Sequence, residues 1–386
     1  MRRHSLKFSI VIPCFNNSGY LPLCLDSALR NIANKDGEII CVDDCSTDDT
    51  IAVLESYAKK YGSIKIVKHS ENSGSNEARR SGVYAASGDY VLFVDPDDRL
   101  TDGAVDAIIN KLAESEVDVL FFDFKFADGF DLNKMPNEDS KIHYYKQILK
   151  GHLLATSKFS AIDAIYTSPP RLGVMVWGRA WKRELLVKGF ELIPEGWCVE
   201  QEDDCESLMF LVLAESVSMI DYVGYEYKWD TGVTNEDIDE RSAIRYLRNA
   251  VFVTRFIASF KKHFGLDSQY VPYLRFIENN VQDKYKKIAK WFLKSASNRE
   301  ELIEKAVFGD ERMQMLAMLC FEREFNHSTM LKTIGTIPFL NFIIRLKRIY
   351  LKLRVKLTRD VSYRQCIENE RFSLKSVRNL IKVAKA

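Results

Sequence analysis

Three carboxylates stand within four residues at Asp95-Pro96-Asp97-Asp98, directly after the apolar run Tyr90-Val91-Leu92-Phe93-Val94. The run reads as a buried strand, so the carboxylates arrive where that strand ends. Packed carboxylates repel one another and resist burial. A chain tolerates them where a cation neutralises them or solvent bathes them. Asp-x-Asp at a strand end is a common way to hold a hard divalent ion, which in turn can hold a diphosphate. On its own the cluster reads equally as a solvated acidic turn with a helix cap.

A second acidic strand end is Val42-Asp43-Asp44-Cys45-Ser46-Thr47-Asp48. A carboxylate there can accept hydrogen bonds from a nucleobase imide or a ribose hydroxyl. Thr47 and Asp48 suit helix caps, which leaves Asp43 and Asp44 without a structural task. Asn72-Ser73-Gly74-Ser75-Asn76-Glu77-Ala78-Arg79-Arg80 opens a helix. Its glycine permits close backbone approach, and helix N-terminal amides with an arginine suit a phosphate or a base carbonyl. A plain helix start reads the same way. Far downstream, Glu202-Asp203-Asp204 offers three adjacent carboxylates, and Trp177, Trp181 and Trp197 offer rings that stack on sugars or pack in a core.

These groups need a frame that brings strand ends together. Apolar runs at 8–13, 38–42, 64–67, 90–94 and 117–122 alternate with helical periodicity at about 18–32, 48–58, 75–86 and 102–114. That β-α rhythm predicts an α/β protein with a mostly parallel central sheet and helices on both faces. Ligands of such sheets bind outside the carboxyl ends of the strands, where Asn16-Asn17, Asp43-Asp44 and the Asp95 cluster fall. Residues 125–176 are less regular. Helical pattern returns at 184–187, at 204–214 and from about 237 to 324.

The composition excludes several classes. The chain has 386 residues and a net charge of +1, with 28% charged and 46% hydrophobic residues, as in ordinary globular proteins. The eight cysteines form no Cys-x-x-Cys and the six histidines do not cluster near them, which argues against zinc and redox motifs. No run reaches the ~18 uninterrupted apolar residues of a membrane span. Nor does the basic N-terminus, Met1-Arg2-Arg3-His4, lead into a signal-peptide pattern. The charge is uneven: residues 332–386 carry 14 Lys/Arg against 3 Asp/Glu, and the rest 41 against 51. Within that tail Phe339, Phe342, Ile343, Leu346, Ile349, Tyr350, Leu353 and Leu357 recur at helical spacing among basic residues. This predicts amphipathic helices that lie on an anionic membrane or dock on the acidic body.

Ser9-Ile-Val-Ile-Pro-Cys-Phe-Asn16, the Asp43-Asp44 segment, Asn72-x-Gly74-x-x-x-Ala78-Arg79 and Gly88-Asp-Tyr-Val-Leu-Phe-Val-Asp-Pro-Asp-Asp98, in this order, resemble the family 2 glycosyltransferases. The likeness is strong over 8–124. It continues more loosely through Trp177-Gly-Arg-Ala-Trp-Lys-Arg183, Glu202-Asp203 and the aromatic Tyr225-Glu-Tyr-Lys-Trp229.

The resemblance implies a GT-A fold, a nucleotide-diphosphate sugar donor, most often a uridine one, and inversion at the anomeric carbon. Carried over by position, it implies that Pro13 and Phe15 line the base pocket. Asp44, with Asp43, would hold uracil or ribose, and Arg79 would sit near the nucleotide. Asp95 and Asp97 would hold a divalent cation (Mn²⁺ or Mg²⁺) with the diphosphate, Asp98 lying beside them. Asp203 would be the general base, with Asp204 its rival. Two positions depart from the family pattern: Cys45 stands where glycine is usual, and Phe15 where tyrosine is frequent.

Expected domains are 1–235 as the transferase (8–124 for the donor, 125–235 for acceptor and base), 236–330 as a helical region, and 331–386 as basic helices. The expected role is a cytoplasmic enzyme, peripheral on the cytoplasmic face of the inner membrane. It would extend a glycan or lipid-linked acceptor of a surface polysaccharide or lipopolysaccharide and have no nucleic-acid partner. Two alternatives belong to other classes. One is a non-catalytic nucleotide-sugar-binding or membrane-scaffold module on the same fold. The other is a nucleotidyltransferase, for which Phe15-Asn16-Asn17-Ser18-Gly19-Tyr20 is a poor phosphate loop.

Overall fold

The structure is a computed structural model that describes residues 6–127, 158–166, 174–228, 240–265 and 269–277. The first half alternates as expected: β1 (Phe8–Cys14), α1 (Leu21–Ile32), β2 (Gly37–Asp43), α2 (Thr50–Lys60), β3 (Ile64–Lys68), α3 (Ser75–Ala85) and β4 (Tyr90–Phe93). Then follow β5 (Arg99–Leu100), α4 (Ala104–Glu114), β6 (Val119–Phe126), α5 (Lys158–Tyr166), β7 (Arg179–Lys182), α6 (Arg183–Leu192), α7 (Glu202–Leu213), β8 (Val217–Tyr227) and α8 (Glu240–Phe264).

The strands form one sheet in the order β3-β2-β1-β4-β7-β6-β8-β5. Every residue of β1 and β4 is buried, which is why both read as continuous apolar runs rather than alternating ones. Phe8, Ile10, Ile12 and Cys14 share one core with Leu21, Leu25 and Ala28 of α1, Leu54 of α2 and Val105 and Ile108 of α4. On the other face α3 lies so close to the sheet that a Cβ at Gly82 would stand 2.3 Å from Val11 Cγ1. β1 pairs in parallel with β2, Cys14 opposite Asp43, and with β4, Val11 opposite Phe93. Pro13, Asp43 and Asp95 therefore emerge at one edge of the sheet.

The second half departs from a parallel sheet. The strand expected at 117–122 is β6, but it does not follow β4 in space. β7 lies between them, antiparallel to both, with Trp181 opposite Val91 on one side and Val119 on the other. A four-residue strand has too few positions to show a period, so β7 left no periodic signal, although it lies within the 177–183 segment that resembles the family. β8 then pairs in parallel with β6, and β5 lies antiparallel on its far side.

Residues Met1–Asp237 and Arg248–Asp283 form one compact unit. The part of α8 from Arg248 onward is included in this unit. The Ser259 hydroxyl donates to the Leu192 carbonyl at 2.8 Å, and Phe252, Phe256 and Phe260 are buried. No described helix is long and apolar enough to cross a membrane. The basic helices expected at 331–386 lie outside the described residues.

Candidate active site

The turn after β4 is built by its own carboxylates and one tyrosine. The Asp98 amide donates to the Asp95 carbonyl at 3.0 Å. The Asp95 amide donates to the Tyr225 hydroxyl at 3.1 Å, and that hydroxyl donates to Asp98 Oδ2 at 2.7 Å. The Lys228 amide donates to Asp98 Oδ1, also at 2.7 Å. Asp98 is buried and occupied with fastening the end of β8 to the turn. Tyr225 is held in turn by Trp177, whose ring stacks on it at 4.5 Å and 3°. Asp95 and Asp97 keep part of their surface exposed.

Charge is crowded here. Burial, with the nearby Asp203, Asp97 and Glu202 carboxylates, pushes the Asp95 carboxyl up to about 7 against the opposing pull of Arg79. Burial and the neighbouring Asp95 and Asp97 push Asp98 well above the ordinary range. Such crowding is what a cation relieves. The donor set fits: two hard carboxylates, Asp95 and Asp97, stand on one turn. Among the described residues no group of three or more His, Cys, Asp or Glu side chains is placed to hold a metal ion.

At the neighbouring strand end Asp44 accepts from the Ser73 amide (2.9 Å), the Gly74 amide (2.8 Å) and His69 Nδ1 (2.7 Å), while His69 Nε2 meets Ser81 Oγ at 2.9 Å. Asp44 thus ties the loop before α3 to the end of β2. Asp43 is buried as well and accepts from the Ser46 amide at 3.3 Å. At Gly74 the backbone is approached closely, as its residue type permits. Its φ is +86°, and a Cβ there would stand 2.8 Å from the Cys198 carbonyl. The backbone that approaches it is the protein's own. Cys45 has φ +61°, which explains why glycine would be at home in its place. Pro13 is buried at the end of β1 and Phe15 beyond it is 43% exposed.

Arg79, expected near the nucleotide, is surrounded by carboxylates. Its side chain is 3% exposed. Nη1 lies 2.6 Å from Asp203 Oδ1, 3.1 Å from Glu206 Oε2 and 3.5 Å from Glu202 Oε1, and Nη2 lies 3.6 Å from Asp95 Oδ1. One guanidinium therefore links the Asp95 turn to the start of α7. The two rivals for the base differ in exposure and partners. Asp203 is partly exposed and shares Arg79 with Asp95. Asp204 is buried, and its carbonyl accepts from the Tyr166 hydroxyl at 2.6 Å. Glu206, fully buried, was not singled out by the sequence. Its signal was its spacing, since positions 202, 203 and 206 share one face of a helix.

Of the three tryptophans, Trp177 and Trp181 are core residues, with Trp181 Nε1 donating to the Val176 carbonyl at 2.8 Å. Trp197 is half-buried, donates from Nε1 to Asn72 Oδ1 at 2.6 Å and lies under Arg248. His69 and Tyr225, which hold the two acidic strand ends, were likewise not picked out as site residues.

Residues 9–164 match the family model described as glycosyl transferase family 2. A poly(ribitol-phosphate) beta-glucosyltransferase of Bacillus spizizenii is 37% identical over 126 residues, which are 32% of this chain and 20% of that protein. The putative glycosyltransferase EpsH of Bacillus subtilis is 24% identical over 86% of this chain and 87% of its own. Among solved structures, residues 1–349 of TarS of Staphylococcus aureus, in complex with UDP-GlcNAc, superpose with a TM-score of 0.50 at 19% identity, covering 87% of each chain.

Proposed function

This chain belongs to glycosyltransferase family 2 and has the GT-A fold, and from that premise we propose that it moves a sugar, with inversion, from a uridine-diphosphate sugar to a hydroxyl of a cell-surface glycan or its lipid-linked precursor. The observation that carries this reading is the single Arg79 guanidinium in contact with both Asp95 and Asp203. It sets a diphosphate-side carboxylate and an acceptor-side carboxylate one side chain apart, although 108 positions separate them in the chain.

In this reading Pro13 and the exposed ring of Phe15 form the wall for the base, and Asp43 with Asp44 holds the uracil or ribose. Asp95 and Asp97 hold a divalent cation, Mn²⁺ or Mg²⁺, which neutralises charge on the departing diphosphate when bound. Asp203 takes the proton from the acceptor hydroxyl as that oxygen attacks. The base and the diphosphate-side carboxylates come from different elements, as displacement from the face opposite the leaving group requires.

The relatives' names support the cell-surface part of the reading and weigh toward a polymer of the poly(ribitol-phosphate) kind rather than lipopolysaccharide as acceptor. The matched segment spans only about a fifth of those proteins. The basic tail supports a place at the cytoplasmic face of an anionic membrane. Purified protein given a panel of nucleotide sugars, with and without Mn²⁺, is expected to hydrolyse or transfer from at least one uridine-linked donor in a metal-dependent way. Nucleotide binding without turnover of any donor would favour the non-catalytic module.

A further inference from the structure

The sequence resemblance gives Arg79 to the nucleotide, but its surroundings give it another task. Both terminal nitrogens face carboxylates, and the side chain is almost wholly buried. Burial alone would weaken its charge. Asp203, Glu206, Glu202 and Asp95 outweigh burial and hold the guanidinium firmly protonated. Glu206 is the deepest of the four, with no exposed surface, and lies one turn along α7 from Glu202 and Asp203. The cluster is also under-satisfied: Arg79 Nε, Glu202 Oε2 and Glu206 Oε1 are buried without a hydrogen-bond partner. A group built for stability alone would be expected to use those atoms.

The start of α3 is fixed to the same wall. Ser75 Oγ donates to Glu202 Oε1 at 2.5 Å and to the Cys198 carbonyl at 3.2 Å. Arg79, one turn further along α3, therefore approaches α7 from a rigid base.

We propose that Arg79 and Glu206 are positioning residues: Glu206 anchors the guanidinium inside the fold, and the guanidinium fixes the Asp203 carboxylate relative to Asp95. This inference rests on Asp203 being the base. A planar two-pronged cation can touch Asp203 and Asp95 at once. A lysine ammonium is a point charge and cannot. Without the Glu206 charge, the guanidinium is free to shift toward the remaining carboxylates and carry Asp203 with it. Small displacements of a reacting group cost up to about 100-fold in rate while leaving ground-state binding intact.

The test compares kcat with the affinity for UDP in Mg²⁺, measured on the same full-length preparations. Arg79→Lys is expected to lower kcat about 100-fold and Glu206→Gln about 10-fold, with the Kd for UDP within about 3-fold of wild type. Glu206→Asp, which keeps the charge, should recover part of the loss. Glu77→Gln breaks the neighbouring Arg80 ion pair, 3.1 Å long in the same helix, and should leave both quantities unchanged in the folded protein. If UDP affinity falls in step with kcat, Arg79 is a nucleotide ligand and the proposal is wrong. Unchanged kcat in Glu206→Gln also overturns it. A wild-type protein that binds UDP but turns over no donor overturns the functional reading and this proposal with it.

Discussion

At the edge of the sheet where β1 and β2 begin, Glu38 is buried with a partner for each oxygen. Oε1 accepts from Ser9 Oγ (2.8 Å), the Ser87 amide (2.6 Å) and Ser87 Oγ (2.7 Å), and Oε2 pairs with Lys65 Nζ (2.6 Å). Burial would raise its carboxyl, but the Lys65 and Ser87 bonds prevail and hold it at about 2. At the opposite edge, Asp95 is crowded by Asp97, Asp203 and Glu202, and its carboxyl sits at about 7. One carboxylate is surrounded by donors and stabilises the fold. The other is surrounded by its own kind and stores repulsion that a bound cation can release. The first arrangement is that of a structural buried acid, and the second is the one on which the proposed cation site rests.

The sharpest way to break this contrast is to remove charge at the crowded edge. Asp95→Asn should lower metal-dependent turnover by at least about 100-fold, because the cation loses a ligand at the developing charge. It should not lower the melting temperature, since one source of repulsion is gone. A variant that melts clearly lower than wild type would place Asp95 among the structural acids.

At the other edge the expected effect falls on stability. Glu38→Gln should cost about 3 kcal/mol near neutral pH, the equivalent of its shift. The sign follows from a depressed carboxyl: the stabilisation is fully present above about 4.5 and is lost as pH falls toward about 2. Denaturant unfolding across that window should show wild-type stability dropping more steeply than that of the variant. Parallel curves would mean that Glu38 is not the group that senses acid. The smallest effect is expected at Cys45, whose left-handed backbone costs a residue with a Cβ. Cys45→Gly should raise stability by less than about 1 kcal/mol, after the added freedom of the unfolded chain is subtracted.

These edges were not equally legible. The strand-end carboxylates stood out because acidic residues directly follow buried apolar runs, and the parallel strands β1 to β4 have that pattern. Glu38 sits inside such a run and looks like a polar accident, because its partners come from residues 9, 65 and 87. β7 was hidden by its length, and its insertion between β4 and β6 is a tertiary event with no local period. Arg79 was visible, but its task was not. The sequence resemblance places it near the nucleotide, and the fold adds a contact that no local pattern shows, with Glu206, a residue 127 positions away. Local pattern reveals which residues are unusual, and long-range packing decides what faces them.

The central claim is that Asp203 takes the acceptor proton while the Asp95 turn serves the donor. It is tested most directly by the single-turnover rate of Asp203→Asn, with UDP binding measured in parallel. The expected result is a loss of rate of about 100-fold or more with UDP affinity preserved, since a general base contributes on that scale. An Asp203→Asn protein that transfers sugar at the wild-type rate would contradict the account.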